Sequence, residues 1–289
     1  MMLRKKNEKQ ETKSQRRLRE AALMQEERKH ILTSGSDFFI REAYKTLRTN
    51  VSFALANVED SKVVLVTSSQ QSEGKSITAI NLAISYAQME RKVLVIDCDL
   101  RRPKVARLLR IATPEGLSNL LMSRTKTAES LIVRSDIKNL DVLPAGDIPP
   151  NPSELLASPK MEQVLAELKE KYDLIVLDTP PVNMVTDAVA LAPQTDGVLF
   201  VVRANITERG AVIHAVEQLE YTKIKILGFI LNGVDLEHTS YGYSKQHYKR
   251  YGYRRYSFRR YGYAKYGYTK YGYGYSSRRH SQEQKDTAQ

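Results

Sequence analysis

Cysteine is almost absent from this chain: Cys98 is the only one among 289 residues. No intrachain disulfide can form, and a reducing compartment is the natural setting. Long hydrophobic runs are missing too. The longest, such as VLFVV at residues 198–202, fall far short of the roughly 20 residues that a spanning helix needs. The opening MMLRKKNEKQETKSQRRLRE has no apolar segment of the signal-peptide kind. Any membrane association is therefore expected to come through a partner or through the basic ends. Acid is missing from one stretch: residues 241–280 carry 11 Lys/Arg and no Asp or Glu, nearly the whole net charge of +12. Residues 31–240 hold 23 basic and 26 acidic side chains. That balance gives no support to a basic patch spread over a folded surface and assigns the high pI to the two ends.

What is present is an α/β pattern between two tails, with room for one domain of about 200 residues. Residues 1–35 are charged and helix-permissive without a sustained apolar stripe, and read as a basic flexible or partly helical arm. Residues 37–55 have Phe39, Ala43, Leu47 and Val51 near helical spacing. Short Val/Ile/Leu-rich runs follow at 62–67, 92–97, 140–144, 173–178, 197–203 and 225–231, with helical patterns such as 75–89 and 153–171 between them. Continuous rather than alternating apolar runs predict strands buried on both faces, hence a mostly parallel sheet flanked by helices. Ligands of such sheets bind beyond the carboxyl ends of the strands. The pattern stops after Val234, and residues 237–289 read as a disordered, basic, Tyr-rich tail.

Three strand ends carry chemistry. After the first comes TSSQQSEGKSITAINLA, where Gly74, Lys75 and Ser76 open a helix. Backbone N–H groups there would face an anion, Lys75 would reach the β- and γ-phosphates, and the Ser76 hydroxyl would bind Mg²⁺. Ser69 stands where the usual pattern has its first glycine. The second strand ends VLVIDCDLRRP, with Asp97 and Asp99 starting on one face. Buried carboxylates there need a cation or a proton; a helix cap followed by a basic turn is the competing reading. The third, LIVLDTPP, ends on Asp178 in the manner of a Walker B carboxylate.

A Walker A loop, an acidic motif of form D-x-D-L-R-x-P, a Walker B ending D-T-P-P and a tyrosine-rich tail together resemble the bacterial tyrosine kinases of the Gram-positive capsular type. The resemblance covers residues 37–234 and the tail. It implies a P-loop NTPase fold of the Min/Par-like group and a non-specific protein-tyrosine kinase using ATP and Mg²⁺. The runner-up is a Min/Par-like positioning ATPase with a basic nucleic-acid- or membrane-binding tail. Those ATPases carry a signature lysine where this chain has Gln70. The kinase loops commonly read P-G-x-G-K-S, and here Gln71 and Ser72 replace Pro-Gly. Carried over residue by residue, the resemblance implies nucleotide contacts from Ser72, Glu73, Gly74, Lys75, Ser76 and Ile77. It implies catalytic roles for Lys75, Asp97, Asp99 and Asp178, and metal support from Ser76, Asp99 and Asp178. Asp97 is the expected acceptor of the tyrosine proton. Arg101 and Arg102 either steady phosphates or face solvent, and Asn232 either touches the adenine edge or makes a turn. The family's E-x-x-R-x-x-R helix motif, used for self-association, is matched by Glu42, Lys45 and Arg48 with one Arg-to-Lys change; a solvated charge run is the plain alternative.

Thirteen of the 17 tyrosines fall in the tail: Tyr241, Tyr243, Tyr248, Tyr251, Tyr253, Tyr256, Tyr261, Tyr263, Tyr266, Tyr268, Tyr271, Tyr273 and Tyr275. Set beside a nucleotide site, they read as autophosphorylation sites used in trans within an oligomer. The resemblance further implies a transmembrane activator that regulates polysaccharide chain length, a cognate tyrosine phosphatase, and a cytoplasmic chain held at the membrane's inner face by its partner. The biological role implied is control of capsular or extracellular polysaccharide synthesis. No nucleic-acid partner is expected.

Overall fold

Every apolar run in the middle of the chain becomes a strand. The computed structural model describes residues 13–58 and 62–234. Seven strands form one sheet: β1 (Lys62–Ser68), β2 (Val93–Asp97), β3 (Val133–Arg134), β4 (Leu140–Leu143), β5 (Leu174–Asp178), β6 (Gly197–Arg203) and β7 (Ile226–Asn232). Their order is β3-β4-β2-β5-β1-β6-β7. All pairings are parallel except β3 with β4. The helices are α1 (Lys13–Arg28), α2 (Phe38–Ala54), α3 (Lys75–Ala87), α4 (Val105–Leu108), α5 (Leu117–Met122), α6 (Pro152–Leu156), α7 (Pro159–Lys169), α8 (Asp187–Leu191) and α9 (Arg209–Glu220).

Strand residues alternate between two cores, one on each face of the sheet. Val63, Leu65, Leu94, Ile96, Ile175, Leu177 and Phe200 join Leu120 of α5, Leu156 of α6, Leu165 of α7, Leu191 of α8 and Leu219 of α9. Val64, Val66, Val93, Val95, Val176 and Val201 join Ile80 of α3, Val51 of α2, Val105 of α4 and Leu32 of the N-terminal segment. Burial on both faces is why these strands read as unbroken apolar runs.

Two local departures from the sequence reading have simple causes. The 153–171 segment is two helices, because Ser158 caps α7 by accepting the Met161 N–H and Pro159 follows it. Proline cannot donate backward and disfavours helix in the residue before it. In α2, Ala43 is exposed and Phe39 only half-buried, while Tyr44, Leu47 and Val51 turn inward. The stripe is set by the partner helix α3 rather than by the first apolar residue. Among the described residues, no helix is long and apolar enough to cross a membrane.

Candidate active site

β2, β5 and β1 lie side by side, so their carboxyl ends form one ledge. Asp97 and Asp178 are register partners across β2 and β5. The loop after β1 turns into α3 at Gly74, whose φ of +94° is left-handed. No side chain caps this helix, and its first turn holds no acid. Its leading N–H groups are thus left facing the space where an anion would sit.

The loop is braced by residues distant in sequence. Glu73 is buried and accepts bonds from Ser69 Oγ at 2.9 Å and the Gln70 N–H at 2.8 Å. Thr207 also donates to it. Arg203 Nη1 donates to the Ser72 carbonyl at 2.7 Å, and Asn232 Nδ2 to the Glu73 carbonyl at 2.9 Å. A Cβ on Gly74 would stand 1.9 Å from Asn232 Nδ2. Ser72 takes a φ of +64°, the region a glycine occupies freely. Side chains therefore hold a loop whose usual glycines at 69 and 72 are serines. Asn232 supports the loop backbone and accepts the Gly233 N–H through Oδ1. Ile77 is half-buried against the second core.

The acids converge on one lysine. Lys75 Nζ lies 3.0 Å from Asp99 Oδ2, 3.7 Å from Asp178 Oδ1 and 3.3 Å from Ser76 Oγ. Burial works to lower the Lys75 pKa, but Asp178 and Asp99 outweigh it and the net shift is upward. Asp178 is fully buried, and neither of its oxygens has a hydrogen-bond partner among the described residues. A buried carboxylate whose only ion-pair partner among the described residues is the Lys75 ammonium at 3.7 Å has capacity left for a further cation. Three or more carboxylate, imidazole or thiol groups do not gather as a metal cage among the described residues. Mg²⁺ needs no such cage, since one or two carboxylates, water and substrate phosphates suffice. Ser76 and Asp178, with Asp99 beside Lys75, fit that requirement.

Asp97 is also fully buried, and its oxygens accept the N–H groups of Asp99 (3.2 Å), Lys104 (3.1 Å) and Val105 (3.0 Å). It fastens the acidic loop and holds the start of α4. Burial, then Asp178, pushes its carboxyl up to about 8. Both readings of the two acids made from sequence are thus present, with capping at Asp97 and cation contact at Asp99. The arginines are spoken for as well. Arg101 grips the buried Asp187 with two bonds, 2.9 and 3.0 Å, and reaches Ser153 at 3.3 Å. Arg102 lies exposed, bonded to Gln71 at 3.2 Å. Glu42 and Lys45 pair with each other at 2.7 Å on the surface, while Arg48 donates to the Ser85 carbonyl of α3. The 13 tyrosines from Tyr241 to Tyr275 lie outside the described residues.

Sequence reasoning missed Asp187 and Thr207. Neither stands in a motif, and their partners are 86 and 134 residues away. Arg203 ends a strand, and the strand-end rule could have singled it out.

A family model described as an AAA domain matches residues 46–227. The chain is 42% identical over 203 residues to the tyrosine-protein kinase YwqD of Bacillus subtilis (strain 168), covering 70% of this chain and 85% of that protein. Its fold is similar to the kinase domain of the Escherichia coli tyrosine kinase ETK, with 34% identity, a TM-score of 0.66, and coverage of 71% and 79% of the two chains. It is also similar to the septum site-determining protein MinD of Pyrococcus horikoshii OT3, solved with Mg-ADP, at 25% identity and a TM-score of 0.51, covering 64% and 73%. With its braced phosphate loop, its three strand-end acids and these relatives, the chain belongs to the bacterial tyrosine-protein kinases.

Proposed function

We infer that this chain transfers the γ-phosphoryl group of ATP to tyrosines of the 237–289 segment of a neighbouring copy. Residues 36–236 form the catalytic unit and residues 1–35 an arm whose Leu32 is packed into that unit's core. The observation that carries this reading is Lys75, nearly buried and set between Asp99 and Asp178 at the start of an uncapped helix. The α3 N–H groups and Lys75 bind and orient the phosphates. Ser76, Asp99 and Asp178 would hold Mg²⁺, which neutralises charge on the phosphoryl oxygens. Asp97 keeps the acidic loop in place and accepts the tyrosine proton. The phenol oxygen bonds to the γ-phosphorus as the bond to the ADP oxygen breaks. Little covalent chemistry is asked of the protein, so positioning and charge account for most of the rate.

The same reading places the chain on the cytoplasmic face of the membrane, bound to a membrane-spanning activator of polysaccharide synthesis and reversed by a tyrosine phosphatase. Glu42, Lys45 and Arg48 are its self-association helix, with Arg48 contributing by packing rather than by contact across the interface. The test is phosphotyrosine formation in Mg-ATP with the activator's cytoplasmic peptide, beside Lys75→Met and Asp97→Ala variants. Wild type labels and both variants lose the signal. Label persisting in both overturns the site; ATP hydrolysed without label turns the reading into an ATPase.

A further inference from the structure

The N-terminal segment does something the motifs do not mention. Asn81, on α3 six residues beyond Lys75, is 1% exposed. Both polar ends of its amide are used on residues before the domain proper: Oδ1 accepts the Leu32 N–H at 2.7 Å, and Nδ2 donates to the His30 carbonyl at 2.8 Å. Leu32 is 4% exposed in the second core, with Met24 and Ile31 packed beside it. This is a seat for backbone, locked by a buried amide that would otherwise go unsatisfied.

From that seat the chain reaches α4. Glu27 Oε1 accepts from Lys104 Nζ at 2.7 Å, and Arg28 Nε donates to the Arg107 carbonyl at 2.9 Å. A four-residue helix cannot stand on its own hydrogen bonds. α4 is instead held at both ends. Asp97 takes the Lys104 and Val105 N–H groups at its start, and Arg28 satisfies a carbonyl at its finish. A cation at that end is also favoured by the helix dipole.

We propose that residues 24–32 are a positioning brace for phosphoryl transfer, tying the phosphate-loop helix α3 to α4 and so holding Asp97 and Asp99 in register with Lys75. The brace touches neither the Glu73 network nor Asn232, which shape the nucleotide loop. It therefore acts on how the acids stand against Lys75, and so chiefly on turnover, rather than on the shape of the nucleotide loop. The catalytic part of this inference rests on the kinase reading above; the structural part does not.

The test uses the full chain. Glu27→Lys places like charge against Lys104 at a partly exposed position, where folding tolerates the change. Amide exchange at Lys104 and Val105 rises about three- to tenfold, kcat falls by a similar factor, and KM for ATP stays put. Glu27→Lys combined with Lys104→Glu restores both. Unchanged exchange at those two amides overturns the brace. So does exchange that rises equally in β6, which would mean general loosening, or a KM that rises while kcat holds. Should wild type form no phosphotyrosine at all, the kinase reading fails, while exchange at Lys104 and Val105 still decides whether the brace exists.

Discussion

Ser72 shows what the phosphate loop gave up. A non-glycine residue at φ +64° sits in a region that costs about 1–2 kcal/mol. Glycine would remove that strain and return part of the gain as lost chain entropy, about 0.5–1 kcal/mol. Ser72→Gly is expected to be neutral or stabilising by less than about 1 kcal/mol in urea unfolding, and Ser72→Val destabilising by about 1–2 kcal/mol. Equal effects of the two would remove backbone strain as the cause. The acids were readable from the sequence because they stand at strand ends. Glu73's buried network was not, because its donor Thr207 comes from 134 residues downstream with no local signal. Asp97 supplies a pH prediction. Its carboxyl is raised by burial first and Asp178 second, to about 8. A carboxyl raised on folding holds its proton more tightly in the folded state. Its stabilisation is complete below the unfolded value near 3.9 and lost as pH rises through about 8. Stability of the ligand-free protein should fall between those limits with a slope of at most about 1.4 kcal/mol per pH unit. Asp97→Asn should flatten that slope whatever it does to the absolute level; an unchanged slope would place the titration elsewhere.

At the scale of elements, the central strands announced themselves because both faces are buried. β3 did not: its two residues are half-buried and exposed, so nothing apolar marks them. The α6/α7 break was written in Ser158-Pro159, where the capping signal competes with a continuous helical period. The docking of α1 on α4 was hidden because its apolar contribution is short and its fixings are polar. The Arg101–Asp187 pair ties the acidic loop to α8, and through Ser153 to α6. Asp187 is wholly buried, whereas Arg101 is 40% exposed. Losing the arginine leaves a buried carboxylate held only by Ser153 among the described residues. Arg101→Met should therefore cost about 3 kcal/mol in denaturant unfolding. Adding Asp187→Leu should recover most of that loss, since replacing a buried ion pair by packed apolar groups is often neutral. Additive losses in the double variant would mean the two residues act apart.

For the whole molecule, charge is divided between a slightly acidic middle and basic ends. Residues 241–280 carry 11 Lys/Arg, no Asp or Glu and 13 tyrosines. Each phosphate added to a tyrosine brings about −1.5 to −2 charges at neutral pH. Roughly six or seven would cancel the basic charge of that stretch, and full modification would reverse its sign. An assembly in which one copy's basic segment meets another's acidic strand-end site would then lose its attraction as the reaction proceeds. The product would dismantle the arrangement that made it. On this account, protein freed of phosphate by a phosphatase assembles in low salt, and Mg-ATP treatment shifts it to smaller species. The assembly should also weaken as salt rises, because exposed charges are screened within a Debye length of about 8 Å at physiological ionic strength. Mass photometry of the two forms across a salt series reads both effects. Identical distributions for phosphorylated and dephosphorylated protein would remove charge reversal as the release mechanism. Assembly would then rest on contacts that do not depend on the charge of that stretch, and the proposed helix bearing Glu42, Lys45 and Arg48 would be the first to test.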